Sequence, residues 1–492
     1  MTRAWWLAGL LLAGCSESAG APGSGLARVQ NAGVLRWGGD IQGGEPYVSE
    51  DPEQPGKLIG FEVEIADALA KELGVKAEFV QSDWSSLVPS LERGTFDVIM
   101  NGLEVTPARA GAVAFTRPYY VFAEQLVVRK GGPKPRTLAE LRGQKVGTLA
   151  NSLAWELLRQ AQVEAVPYEG VEEPYQDLEH GRLDAVLLDD VIAGRYGLVK
   201  PALELASEPA LGHYAIGLRP ADQDLRRALD QALQKLAASG ELRRILDRWR
   251  LDGPRQARLL DWTDRDTEQM VGKTKTTSLN GGHLVLFLEG AGVTLLVSVL
   301  AMVLAISLGL TLALLRRYGP RPAALLAQLY VELFRGTPVL LQLYVIYFGL
   351  SNLSEHLRLA AMPAAILGLG LNYAAYEAEI YRAGMEAVPP GQLEAAQALG
   401  MPTRMALRRI VVPQALRFAL PGVTNDFIAL LKDSSLVSVI TVVELTKRMT
   451  ITAVDLRSWL IPGLLCAGLY LGMSYPLSRL SAWLEDRIGD HQ

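Results

Sequence analysis

Residues 291–315 read AGVTLLVSVLAMVLAISLGLTLALL, 25 consecutive residues without a charge. At about 1.5 Å rise per helical residue, such a run is long enough to cross the apolar layer of a bilayer. Further apolar stretches follow at 325–350, 359–379, 413–443 (broken by Lys432-Asp433) and 458–478, which predicts five spans. Basic residues come after the first stretch (Arg316, Arg317, Arg321) and between the third and fourth (Arg382, Arg404, Arg408, Arg409). Loops rich in Lys and Arg stay on the cytoplasmic side, so these two loops are expected there. The loop after the fourth stretch carries Lys447, Arg448 and Arg457, which fits this topology less well.

The rest of the chain differs in character. It has 492 residues, of which 49% are hydrophobic and 21% charged, with a net charge of −5. The mean hydropathy of +0.16 is high for a soluble enzyme. From residue 283 onward there are 16 Lys+Arg against 14 Asp+Glu; before it there are 32 against 39. The front is therefore acidic and water-soluble, the back membrane-embedded, and neither has the basic footprint of a nucleic-acid binder. Two cysteines, Cys15 and Cys466, exclude a disulfide scaffold, and the five histidines are scattered without metal-ligand spacing. Residues 252–282 are polar, without periodicity, and read as a linker.

Ahead of that linker, short apolar runs alternate with amphipathic helical patterns. Val34-Leu35-Arg36-Trp37 reads as a strand, and residues 61–73 (FEVEIADALAKEL) as a helix that stops at Gly74. Strands are expected at 76–80 and 96–100, with a helix at 84–92. A second pass begins near Leu138 with a helix, a strand at 145–147, a helix from Ala154 and a strand at 185–188. This alternation predicts a two-lobed α/β domain with a mostly parallel sheet and a ligand cleft between its lobes. An all-α membrane domain follows it.

The loop between the third and fourth stretches is the most specific segment. It has Glu394-Ala395-Ala396, three residues, Gly400, nine residues, Ile410 and then Val411-Val412-Pro413. This resembles the "EAA" signature of ABC import permeases, with Val412 where leucine is usual. Two short helices around Gly400 would form a knob that docks in a partner's groove. The stretches Tyr330–Pro338, Tyr376–Arg382 and Leu431–Leu436 are similar to the polar amino-acid permeases. In the front half, Gly60–Ala66, Gly94–Ile99, Val105–Arg109 and Phe115–Tyr120, in that order, resemble the polar amino-acid-binding proteins of the same importers.

The resemblance implies roles. Arg109 would hold the ligand carboxylate as a planar bidentate donor, and Asp189 its ammonium. Asp40 would assist with the ammonium or side chain. Ser152, at a helix start, would contact the carboxylate, Gly102 would admit backbone N–H groups, and Trp84 would form a wall against the ligand side chain. Asp189 and Ser152 each also read as a helix N-cap, and Trp84 as core. Two departures stand out. The usual aromatic lid after the first strand is missing or displaced to Tyr47, and Glu104 occupies a position that normally holds Ser or Thr near the ligand carboxylate.

The start of the chain, Met1-Thr2-Arg3 and an apolar run ending Leu12-Ala13-Gly14-Cys15, resembles a signal peptide with a lipobox that lipidates Cys15. The expected layout is a signal peptide at 1–14, a tether at 15–26, an amino-acid-binding domain at 27–252, a linker at 253–282 and a permease domain at 283–487. No phosphate-binding loop is complete: Gly272-Lys273-Thr274 lacks its glycine at Thr267. ATP and Mg²⁺ therefore belong to a separate ABC ATPase subunit, and the chain itself is expected to be no enzyme. One permease half implies a homodimer. The expected place is the bacterial inner membrane, with the binding domain outside and the C-terminus cytoplasmic. A ligand-gated channel fits worse, because the binding domain ends before the spans begin. An enzyme on the binding fold would need an acid or base, and Glu104 is its only odd candidate.

Overall fold

A computed structural model describes residues 24–271, 279–456 and 458–489. The signal peptide, Cys15, most of the tether and Gly272-Lys273-Thr274 lie outside the described residues. The chain forms two compact units, Met1–Val121 with His213–Thr274 and Phe122–Gly212 with Lys275–Gln492. Among the described residues ten strands occur in chain order: β1 (Val34–Gly39), β2 (Ser49–Asp51), β3 (Gln54–Ile59), β4 (Lys76–Gln81), β5 (Val98–Ile99), β6 (Ala114–Arg129), β7 (Lys145–Leu149), β8 (Glu164–Tyr168), β9 (Ala185–Asp189) and β10 (Leu203–Leu218).

In the first unit β1 lies between β4 and β5, parallel to both, with Trp37 opposite Phe79 and Val98. The end of β10 pairs antiparallel with β5. The expected helix is present at Phe61–Leu73, and it buries Phe61, Ile65, Ala66, Leu69 and Ala70, which share one face. Complete burial contributes about 1.5–3 kcal/mol for each of Phe61, Ile65 and Leu69. Gly60 precedes this helix with φ of 148°, and a Cβ there would lie 2.0 Å from the Tyr47 carbonyl oxygen, so only glycine fits. The expected strand at 96–100 is only two residues long, and the 84–92 helix opens with a tight turn, Trp84–Ser86.

The segment expected as a linker is ordered against this unit over its first part. Pro254–Leu259 forms a tight turn and Asp264–Val271 a helix. The Gln256 side-chain amide donates to the Val121 carbonyl at 2.8 Å and accepts from its N–H at 3.0 Å. Arg117 donates to the carbonyls of Leu259 and Trp262, at 2.8 and 3.3 Å. Hydropathy misses this docking because polar side chains and backbone atoms share it with a few scattered apolar residues, Leu259, Met270 and Val271.

In the second unit β7 is parallel to β8 and β9, and the later half of β6 pairs antiparallel with β9. Each binding half thus has three parallel strands and one antiparallel, as the mostly parallel expectation requires. The helix expected near Leu138 is only the turn Leu138–Leu141.

The membrane half has helices at all five expected places: Gly281–Tyr318, Arg321–Gly336 with Val339–Leu353, Ala361–Ala387, Val412–Asp433 and Leu460–Gly489. Among the described residues, Gly281–Tyr318 and Leu460–Trp483 are long and apolar enough to cross a membrane by themselves. The second candidate is not one straight rod. Its two helices meet at 107°, with Thr337 extended ahead of Pro338, as the steric demand of proline on its predecessor requires. The first helix packs on Ala361–Ala387 through small residues: Ala301, Ala305, Ala364, Ala365 and Ala374 are fully buried. A Cβ at Gly309 would lie 2.5 Å from Glu377 Cβ and 2.9 Å from the Ala374 carbonyl oxygen. Close backbone approach of this kind is the usual packing mode in lipid, where no hydrophobic force separates helix from tail.

Candidate functional site

In the first unit Asp40, Trp84 and Gly102 all follow the C-terminal ends of parallel strands, β1, β4 and β5 respectively. Ligands of open α/β sheets gather at such edges. Trp84 packs one side on the core cluster of Leu87, Phe96, Ile99 and Leu103. The guanidinium of Arg109 lies over its ring, 4.7 Å from the centroid. Arg109 Nη1 also donates to the Glu104 carbonyl at 3.0 Å and to Glu104 Oε2 at 3.3 Å. Both side chains are nearly buried, at 10% and 6% exposure. Glu104 therefore pairs with Arg109, and the carboxylate that looked out of place holds the guanidinium in position. Trp84 serves as both core and platform.

Asp40 is used internally. Its Oδ2 accepts from the Trp84 N–H at 2.8 Å, and its Oδ1 from the Gln42 N–H at 3.0 Å and the Gln81 amide at 3.1 Å. It fixes the place of Trp84. Gly102 is likewise occupied: its N–H donates to Glu62 Oε1 at 2.6 Å. Its φ of 55° and a Cβ position 2.8 Å from Tyr47 Cε1 explain why glycine is needed. Tyr47 is no exposed lid. It is 4% exposed, and its hydroxyl shares a 2.8 Å hydrogen bond with that of Tyr214.

Two motif residues have roles that sequence patterns did not assign. Glu62 is fully buried and receives both the Gly102 N–H and the Tyr119 hydroxyl, tying the 61–73 helix to the site loop and to β6. Burial, and then the Glu62 charge, push the Tyr119 hydroxyl well above its ordinary range, so it stays a donor. Asp97 accepts from the Arg36 N–H at 3.1 Å and pairs with Arg28 and Arg36, both at 3.4 Å. A buried carboxylate amid arginines is the signal that marks such a hub.

In the second unit Ser152 follows β7 and Asp189 ends β9, again at the C-terminal edge of parallel strands. Ser152 caps the Leu153–Gln160 helix: its Oγ accepts from the Trp155 N–H at 3.1 Å and donates to the Leu149 carbonyl at 2.9 Å. Asp189 Oδ1 accepts from the Ile192 N–H at 2.9 Å. Both capping roles are therefore real. The structure brings Asp40, Trp84, Gly102 and Arg109 together in one unit, and Ser152 and Asp189 in the other.

The loop between the third and fourth membrane stretches forms the helix Gly391–Ala398, a turn at Gly400 with φ of 81°, and the short helix Thr403–Ala406. Met401 N–H closes back on the Ala396 carbonyl at 3.0 Å. Ala396 is buried, while Glu394 and Ala395 face outward together with Leu399, which is 84% exposed. Leu399 is an apolar tip that the signature alone did not single out. Nearby, Glu379 gathers Arg316, Arg382 at 2.9 Å and Arg335 at 3.9 Å, and Tyr373 donates to Asp433 at 2.7 Å. Glu379 and Asp433 thus have partners within the protein.

Residues 39–252 match the bacterial extracellular solute-binding proteins, family 3, and residues 305–490 match the binding-protein-dependent transport system inner membrane component. The probable amino-acid permease protein YxeN of Bacillus subtilis is 44% identical over 159 residues, 32% of this chain and 71% of that protein. A putative glutamine transport system permease protein GlnP of Rickettsia bellii is 33% identical over 205 residues, 42% of this chain and 94% of that one. Among solved structures, an ancestral arginine-binding protein bound to arginine is 31% identical, covers 44% of this chain and 98% of its own, and has a TM-score of 0.41. The chain is a member of the amino-acid ABC importer family, with a family-3 solute-binding domain fused ahead of its membrane permease domain.

Proposed function

We propose that this chain captures a polar amino acid outside the bacterial inner membrane and passes it to its own permease domain, driven by a separate cytoplasmic ATPase. The observation that carries the reading is Arg109, held by Glu104 against the Trp84 ring. A free amino acid is a zwitterion, so it needs a fixed cation for its carboxylate and a fixed anion for its ammonium. Arg109 supplies the cation with a planar fork already oriented, which lowers the ordering cost of binding. Asp189 supplies the anion, fixed by its helix cap at the C-terminal end of β9. Trp84 is the wall, Asp40 and Gly102 position the site, and Ser152 orders the helix start beside the carboxylate.

The exposed Glu394, Ala395 and Leu399 would meet the ATPase, on which ATP and Mg²⁺ act. Two copies of the chain would complete the pathway, with the C-terminus in the cytoplasm and Cys15 lipidated. The chain itself carries transport, not catalysis. The layout proposed is a binding domain over 27–252, a connecting segment over 253–282 and a permease domain over 283–487. Uptake of labelled amino acids into proteoliposomes holding the chain and its ATPase tests the reading. ATP-dependent accumulation of one polar class is expected; ligand-triggered ion flux without ATP would contradict it.

A further inference from the structure

Within the second unit, residues of the binding half touch the membrane half at defined points. Asp177 is the centre of the first. It is 1% exposed, and its Oδ2 accepts from the Tyr168 hydroxyl at 2.6 Å and from the Tyr347 hydroxyl at 2.5 Å. Its Oδ1 accepts from Arg182 at 2.7 Å. Arg182 in turn donates to the Tyr347 carbonyl at 3.1 Å, and its guanidinium stands 4.2 Å from that ring's centroid. Tyr347, in the bent second membrane element, is thus gripped at its hydroxyl, ring face and carbonyl. The second point is an ion pair between Lys447, whose side chain is 4% exposed, and Glu169. A third, Arg159 with Asp455 at 2.9 Å, is half exposed and contributes little.

Lys447 is one of the three charges in the loop that fits the expected membrane topology less well. Span parity puts the segments around 347 and 447 on one side of the membrane, the side of the exported domain. The Lys447 charge is answered by Glu169, so it reads as a docking residue and not as a cytoplasmic marker. Asp177 and Lys447 are buried charges, costly to leave without a partner, whereas Glu169 reaches Lys447 from a half-exposed position. The fusion also keeps the two surfaces at high effective concentration.

We propose that the second half of the binding domain, residues 122–212, is a standing anchor on its own chain's permease. It is latched at Asp177–Tyr347 and Glu169–Lys447 whether or not amino acid is bound. This rests on the import reading above. In this arrangement the receptor does not dissociate between transport cycles, and ligand capture proceeds on a receptor half that stays in place.

The test uses the full chain in lipid nanodiscs, with Cys466→Ser, Glu169→Cys and Lys447→Cys, and a protease site inserted after residue 274. After treatment with a short bismaleimide and cleavage, the two fragments should stay joined at monomer mass, equally with and without saturating amino acid. Each single-cysteine control should separate. The cross-linked chain should still drive uptake with its ATPase. Separation of the fragments, joining only when amino acid is present, a dimer-mass product, or uptake abolished with binding intact would each overturn the proposal. Glu169→Lys and Lys447→Glu should each cut uptake by at least about fivefold while leaving amino-acid affinity unchanged, and the double exchange should restore it. A double exchange as defective as the single ones would overturn the ion-pair latch. If the unmodified chain bound no amino acid, the import reading would fail, yet fragment retention without ligand would still decide the anchoring.

Discussion

At the level of single residues, the Arg109 guanidinium lies over the Trp84 ring and pairs with the Glu104 carboxylate. The sequence named Arg109 and Trp84 for separate ligand contacts; their contact with each other was not read from it. Asp40 and Gly102 carry internal hydrogen bonds because a strand end leaves backbone groups that something must satisfy, and linear sequence does not say which side chain does so. Arg109→Lys keeps the charge but loses the planar fork, and amino-acid affinity should fall at least about tenfold, read by calorimetry. Tyr119→Phe removes a donor from buried Glu62, so the first unit should lose about 1–3 kcal/mol in urea unfolding. His213 lies against Trp262, and burial, aided by the Arg258 charge, lowers its pKa to about 4. Between that value and its ordinary range near 6.5 the unfolded chain binds the extra proton, so stability is lost as pH falls through this window. The melting temperature of the first unit should drop from pH 6.5 to 4, and His213→Phe should flatten that slope.

For helices and strands, periodicity placed β1, β4, β7, β9, the Phe61–Leu73 helix and the five membrane stretches, but not β2, β3, β6, β8, β10 or the helices Gln223–Ala238 and Glu241–Arg248. Val98–Ile99 and Leu138–Leu141 are too short to show a period. Pro254–Leu259 buries only Gln256 and Leu259, too few apolar residues for hydropathy to register. The second membrane candidate reads as one apolar run although Pro338 divides it. Small residues decide how the membrane helices approach one another. Gly309→Ala should destabilise the permease domain by about 1–3 kcal/mol, because its Cβ would meet Glu377 Cβ and the Ala374 carbonyl. Gly292→Ala, in the same helix with nothing within 4 Å, should be neutral or slightly stabilising. Thermal unfolding in detergent separates the two; equal effects would contradict the packing described.

For the molecule as a whole, the division into an α/β binding domain and a helical permease was legible from charge, hydropathy and motif order. The lobe-to-permease contacts were not, since Asp177 and Tyr347 are 170 residues apart and belong to no shared pattern. Coupling to ATP should pass through the exposed Glu394, so Glu394→Lys should abolish amino-acid stimulation of the ATPase and leave binding intact. Loss of binding in that variant would contradict the coupling role. On the proposed reading, Arg109 and Asp189 hold a polar amino acid. The most direct measurement is calorimetric titration of the full chain in nanodiscs with the common amino acids, beside Arg109→Ala and Asp189→Ala. Tight binding of one polar class, lost in both variants, is the predicted result; no binding by the folded chain, or binding untouched in either variant, would contradict it.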